Sequence, residues 1–405
     1  MRIIVQKFGG TSVASPEIRA LAVKKIQSAL QQGYCPVIVV SAMGRKGESY
    51  ATDTLIGLAR SAYSHIAPRE LDQIMYCGEM ISAVIMTGTL QAVGLDAAML
   101  TGGQAGVTTD NNFNNARILK VDPARLLSMV KAGKIPVVCG FQGVSIDGEF
   151  TTLGRGGSDT TAAALGAALN AELVEIYTDV DGIMTADPRI VTNAKILDCI
   201  SYSEVCQLAH QGAKVIHPRA VEIVMPKGIP LVVKSTFSDA PGTLITNVTK
   251  ESTEETAVSD RVATGVTYLS DIAQVKVSAC PDSCQMNFNV FKIMADNGIS
   301  VDLINMHPDQ IMFTVAEGVS DKAYNKLTEC GYKTEIVTGC AKVSVVGGGM
   351  REVPGVMASF VEALAANNIP ILQTVDSHTS ISALIKKVDI QTAVMALHEK
   401  FSLSE

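Results

Sequence analysis

Up to about residue 245 the chain alternates between two hydrophobic rhythms. Short β-branched runs, Ile3–Phe8, Val37–Ser41, Ile135–Gly140, Val174–Thr178 and Pro230–Ser235, are separated by longer helical stretches. Such alternation predicts βαβ units around a mostly parallel sheet covered on both faces. The first helix can be drawn in full. Ser15 suits the N-cap and Pro16 the first helical position; Ile18, Leu21, Ala22, Ile26 and Leu30 fall on one stripe, and Gly33 suits the stop just past the end.

From Thr246 to about Val262 the rhythm gives way to a polar, charged run around Thr249-Lys250-Glu251-Ser252, which reads as a linker. Beyond it the tail repeats when slid against itself by 70 residues: Met294–Ile299 faces Leu364–Ile369, Ile311 faces Ile381, Ala323 faces Ala393 and Leu327 faces Leu397. Each copy reads strand, loop, helix, strand, strand, helix, the βαββαβ pattern of a ferredoxin-like module once a last strand is supplied. Two such modules resemble a tandem of ACT domains, which implies edge-to-edge pairing and an amino-acid effector held between modules. The expected organisation is a catalytic body over 1–245, a linker over 246–262, and ACT-like modules over 263–338 and 339–405.

Composition narrows the class. At 405 residues, 47% hydrophobic and 18% charged, the chain is a multi-domain α/β protein rather than a disordered one. A net charge of −7, with Arg45-Lys46 one of a few isolated basic pairs, argues against nucleic acid as a partner while leaving room for a small anion. Nine cysteines with no C-x-x-C pair read as reduced thiols of a cytoplasmic protein. Arg2-Ile3-Ile4-Val5 enters a strand at once, and no apolar run reaches the ~18 residues of a membrane span, so neither export nor membrane insertion is expected.

Four segments carry chemistry. In Lys7-Phe8-Gly9-Gly10-Thr11-Ser12-Val13 a strand delivers a lysine into a glycine pair ahead of a capped helix. Glycines let main-chain N–H groups approach phosphate oxygens, and the lysine can neutralise a transferring phosphoryl group. Thr152-Leu153-Gly154-Arg155-Gly156-Gly157-Ser158-Asp159-Thr160 sets a guanidinium fork and a hydroxyl among glycines at a helix start, a seat for a carboxylate or a phosphate. Tyr177-Thr178-Asp179-Val180-Asp181-Gly182, running on to Asp187-Pro188-Arg189, packs carboxylates around a turn at a strand's carboxyl end, where open α/β sheets gather their sites. Gly212-Ala213-Lys214-Val215-Ile216-His217-Pro218-Arg219 adds a second lysine near a turn. P-loop and protein-kinase signatures, EF-hand spacing and zinc spacing are all missing, so no protein-held metal is expected.

Taken in this order, the blocks K-F-G-G-T-S-V, G-R-G-G-S-D-T-T-A, Y-T-D-V-D-G and G-A-K-V-I-H-P-R-A resemble aspartate kinases of the amino acid kinase family over essentially the whole chain. The resemblance implies a carbamate kinase-like αβα sandwich that uses ATP with Mg²⁺ to phosphorylate L-aspartate. At the matching positions it implies that Lys7 and Asp159 are catalytic. It puts Gly9, Gly10, Thr178, Asp179, Asp187, Arg189, Lys214 and Val215 on the nucleotide, and Ser41, Thr52, Glu79, Arg155 and Ser158 on aspartate. An effector seat is expected at Asp282, Ser300, Val301 and Asn305, matched by Asp376 and Ser377 in the second copy, for meso-diaminopimelate or lysine ahead of threonine. A homodimer or larger homo-oligomer through the ACT modules is implied as well. Cys280-Pro281-Asp282-Ser283-Cys284-Gln285 departs from the family's D-x-P-G, and the Met43–Asp53 loop with Asp376–Thr379 is similar to a diaminopimelate-regulated bacterial subgroup. The rivals are a kinase of another amino acid or of a nucleotide, and a catalytically dead amino-acid sensor.

Overall fold

The computed structural model describes residues 1–213, 215–247, 262–278, 283–307, 310–350 and 353–404. Most of the expected linker, together with Lys214 and Asp282, lies outside the described residues. The chain forms two compact units: Met1–Ile183 with Ile196–Ala209 and Lys214–Glu254, and Met184–Lys195 with His210–Ala213 and Glu255–Glu405. A single cut near residue 246 therefore does not separate them. Two short segments from within the first 245 positions join the second unit: Ala186 and Val191 bury themselves against Val266, Val343, Phe360 and Leu397, and Gln211 accepts from the hydroxyls of Thr267 and Ser344.

Unit 1 contains strands β1 (Arg2–Phe8), β2 (Tyr34–Val40), β3 (Ala97–Leu100), β4 (Val107–Thr109), β5 (Ile118–Val121), β6 (Ile135–Cys139), β7 (Gln142–Ser145), β8 (Phe150–Thr152), β9 (Leu173–Thr178), β10 (Cys199–Ser201), β11 (Leu231–Ser235) and β12 (Thr243–Thr246). Its helices are α1 (Pro16–Gln31), α2 (Thr52–Ala62), α3 (Pro68–Ala92), α4 (Ala124–Lys131), α5 (Gly157–Leu169), α6 (Tyr202–His210) and α7 (Pro218–Val224). Eight strands make the main sheet in the order β10-β12-β11-β9-β1-β2-β6-β3. Only the β11–β12 pairing is antiparallel. Every residue of β6 is buried, as a strand covered on both faces requires. On one face Phe8, Ile38 and Val40 pack with Ala22, Val23 and Ile26 of α1 and with Ala83, Met86 and Leu90 of α3. A smaller sheet, β5-β4-β7-β8, flanks this core. Helix α1 is capped as expected, Ser15 accepting from Ile18 N at 3.4 Å, and Gly33 takes φ +81° beyond its end.

Unit 2 holds β13 (Gly265–Ser278), α8 (Ser283–Asp296), β14 (Asp302–His307), β15 (Gln310–Ala316), α9 (Ser320–Glu329), β16 (Thr334–Val346), α10 (Val356–Ala366), β17 (Gln373–Asp376), β18 (Ser380–Lys386) and α11 (Ile390–Lys400). The 70-residue offset is structural, since Met294 and Leu364, Ile299 and Ile369, Ile311 and Ile381, Ala323 and Ala393, and Leu327 and Leu397 are all buried. One continuous antiparallel sheet, β14-β15-β13-β16-β18-β17, carries both copies. The expected boundary at 338 and 339 falls inside β16. Among the described residues no helix is long and apolar enough to cross a membrane.

Candidate active site

Three adjacent strands of the main sheet, β9-β1-β2, deliver predicted residues at their carboxyl ends, and the next strand, β6, ends against Ser158 of α5. Lys7 is the penultimate residue of β1, and its ammonium lies 2.7 Å from Asp159 in the first turn of α5, with both side chains nearly shut off from water. Helix α5 starts on Gly156 in the left-handed region at φ +67°, and a Cβ there would stand 2.3 Å from the His217 side chain, so glycine is required. Gly9 donates to Tyr177 O at 3.2 Å, which ties the glycine turn after β1 to the end of β9. At Gly10 an added Cβ would come within 2.6 Å of Ala42 O and 2.8 Å of Gly44 O. That contact brings the Ser41–Gly44 loop, anchored by Ser41 N on Phe8 O at 3.1 Å, against the glycine turn.

Ser158, buried at the start of α5, is equally close to the end of β6, where a Gly140 Cβ would stand 2.8 Å from its Oγ. Glu79 is buried in α3 and accepts from Ala42 N at 3.1 Å, while its Oε2 has no hydrogen-bond partner among the described residues. Burial pushes its carboxyl up to about 8. The neighbouring Cys139 thiol is pushed up to about 12, first by burial and then by Glu79. Half-buried Thr52 opens α2, and Gly78 packs within 3.0 Å of Ala42 Cβ and 3.1 Å of Leu55 Cδ1 if given a Cβ, so α2, α3 and the Ser41 loop meet closely. Arg155, between Gly154 at φ +76° and Gly156, is exposed and has no polar partner among the described residues.

Thr178 ends β9, and its hydroxyl donates to Asp179 at 3.1 Å; the Asp179 carboxylate also pairs with Arg45. Val215 is half-buried in a bend next to Lys214, whose placement lies outside the described residues. Asp187 and Arg189 belong to unit 2, where they pair at 2.7 Å and the guanidinium holds the Asp187 carboxyl below its usual range. In the same unit Ser300 is exposed and Val301 half-buried just before β14. Asn305 accepts from Gln373 Nε2, exposed Asp376 ends β17, and Ser377 Oγ lies 2.9 Å from Ser380 Oγ.

Three residues that the motif reading passed over shape this site. Arg45 answers Asp179 from the basic pair in the Met43–Asp53 loop. Asp72, wholly buried on α3, accepts from Asn114 N and Thr152 N and, at 2.6 Å, from the Thr152 hydroxyl. Arg219 donates to Leu153 O and Ala116 O, each at 3.0 Å. Arg45 and Arg219 stood inside quoted segments without a role. Asp72 offered one signal, an acid sharing a helix face with Tyr76 and Glu79 at spacings of four and seven.

Comparison with known proteins gives two family matches, the amino acid kinase family over residues 2–235 and an ACT domain over residues 335–399. Aspartokinase 1 of Bacillus subtilis is 50% identical over the full length of both chains. Two crystal structures of Escherichia coli aspartokinase III, each 26% identical over 98% of this chain and 99% of the other, share the architecture. One, in complex with aspartate and ADP in the R-state, superposes with a TM-score of 0.81; the other, in complex with lysine and aspartate in the T-state, with 0.76.

Proposed function

The chain belongs to the aspartokinase family, and from that premise we propose how its residues divide the transfer of the ATP γ-phosphoryl group to the β-carboxylate of L-aspartate. The activity itself follows from the family, and its product is an acyl phosphate, 4-phospho-L-aspartate, made for amino-acid biosynthesis. A β-carboxylate with a pKa of about 4 is already ionised at neutral pH, so the nucleophile needs no general base. The work left to the protein is alignment and charge neutralisation.

The observation that carries the assignment is the Lys7–Asp159 pair, a nearly buried ammonium held at the junction of the glycine turn and the start of α5. Lys7 stabilises the transferring phosphoryl group and Asp159 orients Lys7. Gly9, Gly10, Thr178 and Asp179 serve the nucleotide, with Lys214 and Val215 on its phosphates. The Asp179 carboxylate at the end of β9 would help hold a Mg²⁺ borne by the ATP phosphates, and that ion would supply neutralisation of their charge. Ser41, Thr52 and Ser158 line the aspartate subsite. Arg155 takes the α-carboxylate by its planar fork, and the buried Glu79 carboxyl takes the α-ammonium. Lys7→Ala should lower kcat by at least ~100-fold, the scale of losing one preorganised charge donor. The measurement is aspartate-dependent ADP release, with glutamate and acetylglutamate run beside aspartate. A near-normal kcat with only a raised KM for ATP would sink the assignment.

Unit 2 acts as the amino-acid sensor, with its seat at Asp282, Ser300, Val301 and Asn305 and a matching site at Asp376 and Ser377. Support comes from the repeat, the ACT match and the lysine bound by the E. coli relative in its T-state. We favour meso-diaminopimelate over lysine as the effector, and a cytoplasmic homo-oligomer assembled through the ACT modules.

A further inference from the structure

We propose that Asp72 is a positioning residue of the aspartate subsite, holding the loop that presents Arg155; the inference rests on the assignment of Arg155 to the α-carboxylate. The Asp72 side chain is entirely buried, yet no cation pairs with it among the described residues. Burial raises its pKa, while the hydrogen bonds from Thr152 and from the backbone of Asn114 and Thr152 oppose that rise. Asn114 N reaches both carboxylate oxygens at 3.1 Å, Thr152 N reaches Oδ2 at 3.0 Å and the Thr152 hydroxyl reaches Oδ1 at 2.6 Å. A carboxylate without a counter-ion is a costly way to tie two segments of chain, and it persists where charge-assisted bonds must fix a geometry.

What it fixes lies three residues from Arg155. Thr152 precedes Leu153, whose N–H donates to Phe141 O at 2.9 Å and whose carbonyl accepts from Arg219 at 3.0 Å. Gly157 N then closes the turn on Gly154 O at 3.0 Å. Every residue from Thr152 to Gly154 is thereby anchored or turned, while the Arg155 side chain stands out exposed, a fork whose approach is set before the ligand comes. The same face of α3 carries Glu79 seven residues on, about 10 Å along the axis, where it receives Ala42 N beside Ser41. One helix face thus indexes both loops assigned to aspartate.

Asp72→Asn keeps the shape but removes the charge and turns one acceptor oxygen into a donor, which can give to the Thr152 hydroxyl but cannot accept from Asn114 N or Thr152 N. In the full-length chain the aspartate KM should rise about tenfold, with kcat and the ATP KM within about twofold of wild type. Arg155→Ala, measured alone, tests the underlying assignment, which fails if the aspartate KM is unchanged whatever Asp72 does. With that assignment standing, Asp72→Asn added to Arg155→Ala should raise the aspartate KM no further. A fully multiplicative loss in the double variant, or a wild-type aspartate KM in Asp72→Asn, overturns the proposal. Should Asp72→Asn not fold, Thr152→Val removes the hydroxyl donor alone and should give the same split at about threefold; equal losses for aspartate and ATP there also overturn it.

Discussion

Glu79→Gln removes an ionisation from the proposed aspartate subsite while leaving its volume in place. The carboxyl is buried in α3, with one oxygen on Ala42 N and the other without a partner among the described residues, and burial moves its pKa from 4.5 to about 8. A shift of about 3.5 units corresponds to about 5 kcal/mol between the two protonation states. The sign comes from counting protons. Below about pH 4.5 the acid is protonated in both folded and unfolded chains, and no cost arises. Above that, the unfolded chain releases the proton while the folded chain keeps it, so stability falls by about 1.4 kcal/mol per pH unit until about pH 8. Beyond this point the cost is complete. The Gln variant carries no such cost, so its stability relative to wild type should improve by about 3 kcal/mol between about pH 5.5 and about pH 8.5, read from urea unfolding of the two chains in parallel. Aspartate binding draws on the same proton. If the α-ammonium meets this carboxyl as a carboxylate, binding below about pH 8 must expel the proton, and the aspartate KM should fall up to about tenfold per pH unit as pH rises toward 8. In the Gln variant that dependence should vanish. A stability difference constant across the range would refute the buried, neutral carboxyl; a pH-dependent stability with a flat KM would refute the ammonium contact alone.

Arg155→Lys keeps the charge and loses the fork, so the aspartate KM should rise while ATP binding stays near wild type, as isothermal titration with each ligand would report; comparable losses for both would mean a collapsed loop. Gly10→Ala drives a Cβ to 2.6 Å from Ala42 O, a main-chain atom that cannot swing aside, so it should cost ~1–3 kcal/mol of stability and displace the Ser41 loop, with thermal unfolding and ADP release as the readouts. An unchanged Tm and kcat would show that the loop has slack. Asp376→Ala should weaken inhibition by the effector without lowering the uninhibited rate, assayed with lysine, threonine and meso-diaminopimelate singly and in pairs. Full inhibition by every amino acid that inhibits the wild type would remove Asp376 from the sensor.

The parallel sheet and the site at its carboxyl edge were legible because their determinants are local. A Lys before Gly-Gly, an Arg among glycines and a capped helix each announce themselves within a dozen residues. The structure draws them together through the strand order β9-β1-β2-β6. Asp72 was not legible for the opposite reason. Its partners, Asn114 and Thr152, lie 42 and 80 residues away, and an acid in an amphipathic helix is ordinarily solvated. The departure of Met184–Lys195 into unit 2 is hidden in the same way. Ala186 and Val191 are ordinary small apolar residues, and only the core they join, with Phe360 and Leu397, shows where they belong.

The repeat in unit 2 was legible while its boundary was not, and strand pairing explains both. Side chains 70 residues apart match because they fill equivalent cores. The division between copies leaves no mark because β-strand alternation continues unbroken through it. In β16, Thr334–Val337 pair with Val277–Gln274 of β13, whereas Lys342–Val346 pair with Leu269–Gly265 of the same strand. Between them the register shifts, with Asp271 in the left-handed region at φ +61°, and the pairing passes from one copy to the other. Residues 334–337 therefore close the sheet of the first module, while residues 265–269, the leading half of β13, close the sheet of the second. Neither module has a whole sheet alone, so the two should unfold as one cooperative unit. An amino acid seated on either copy must then act on strands common to both, which is how a ligand with different affinities for two arrangements shifts the balance between them.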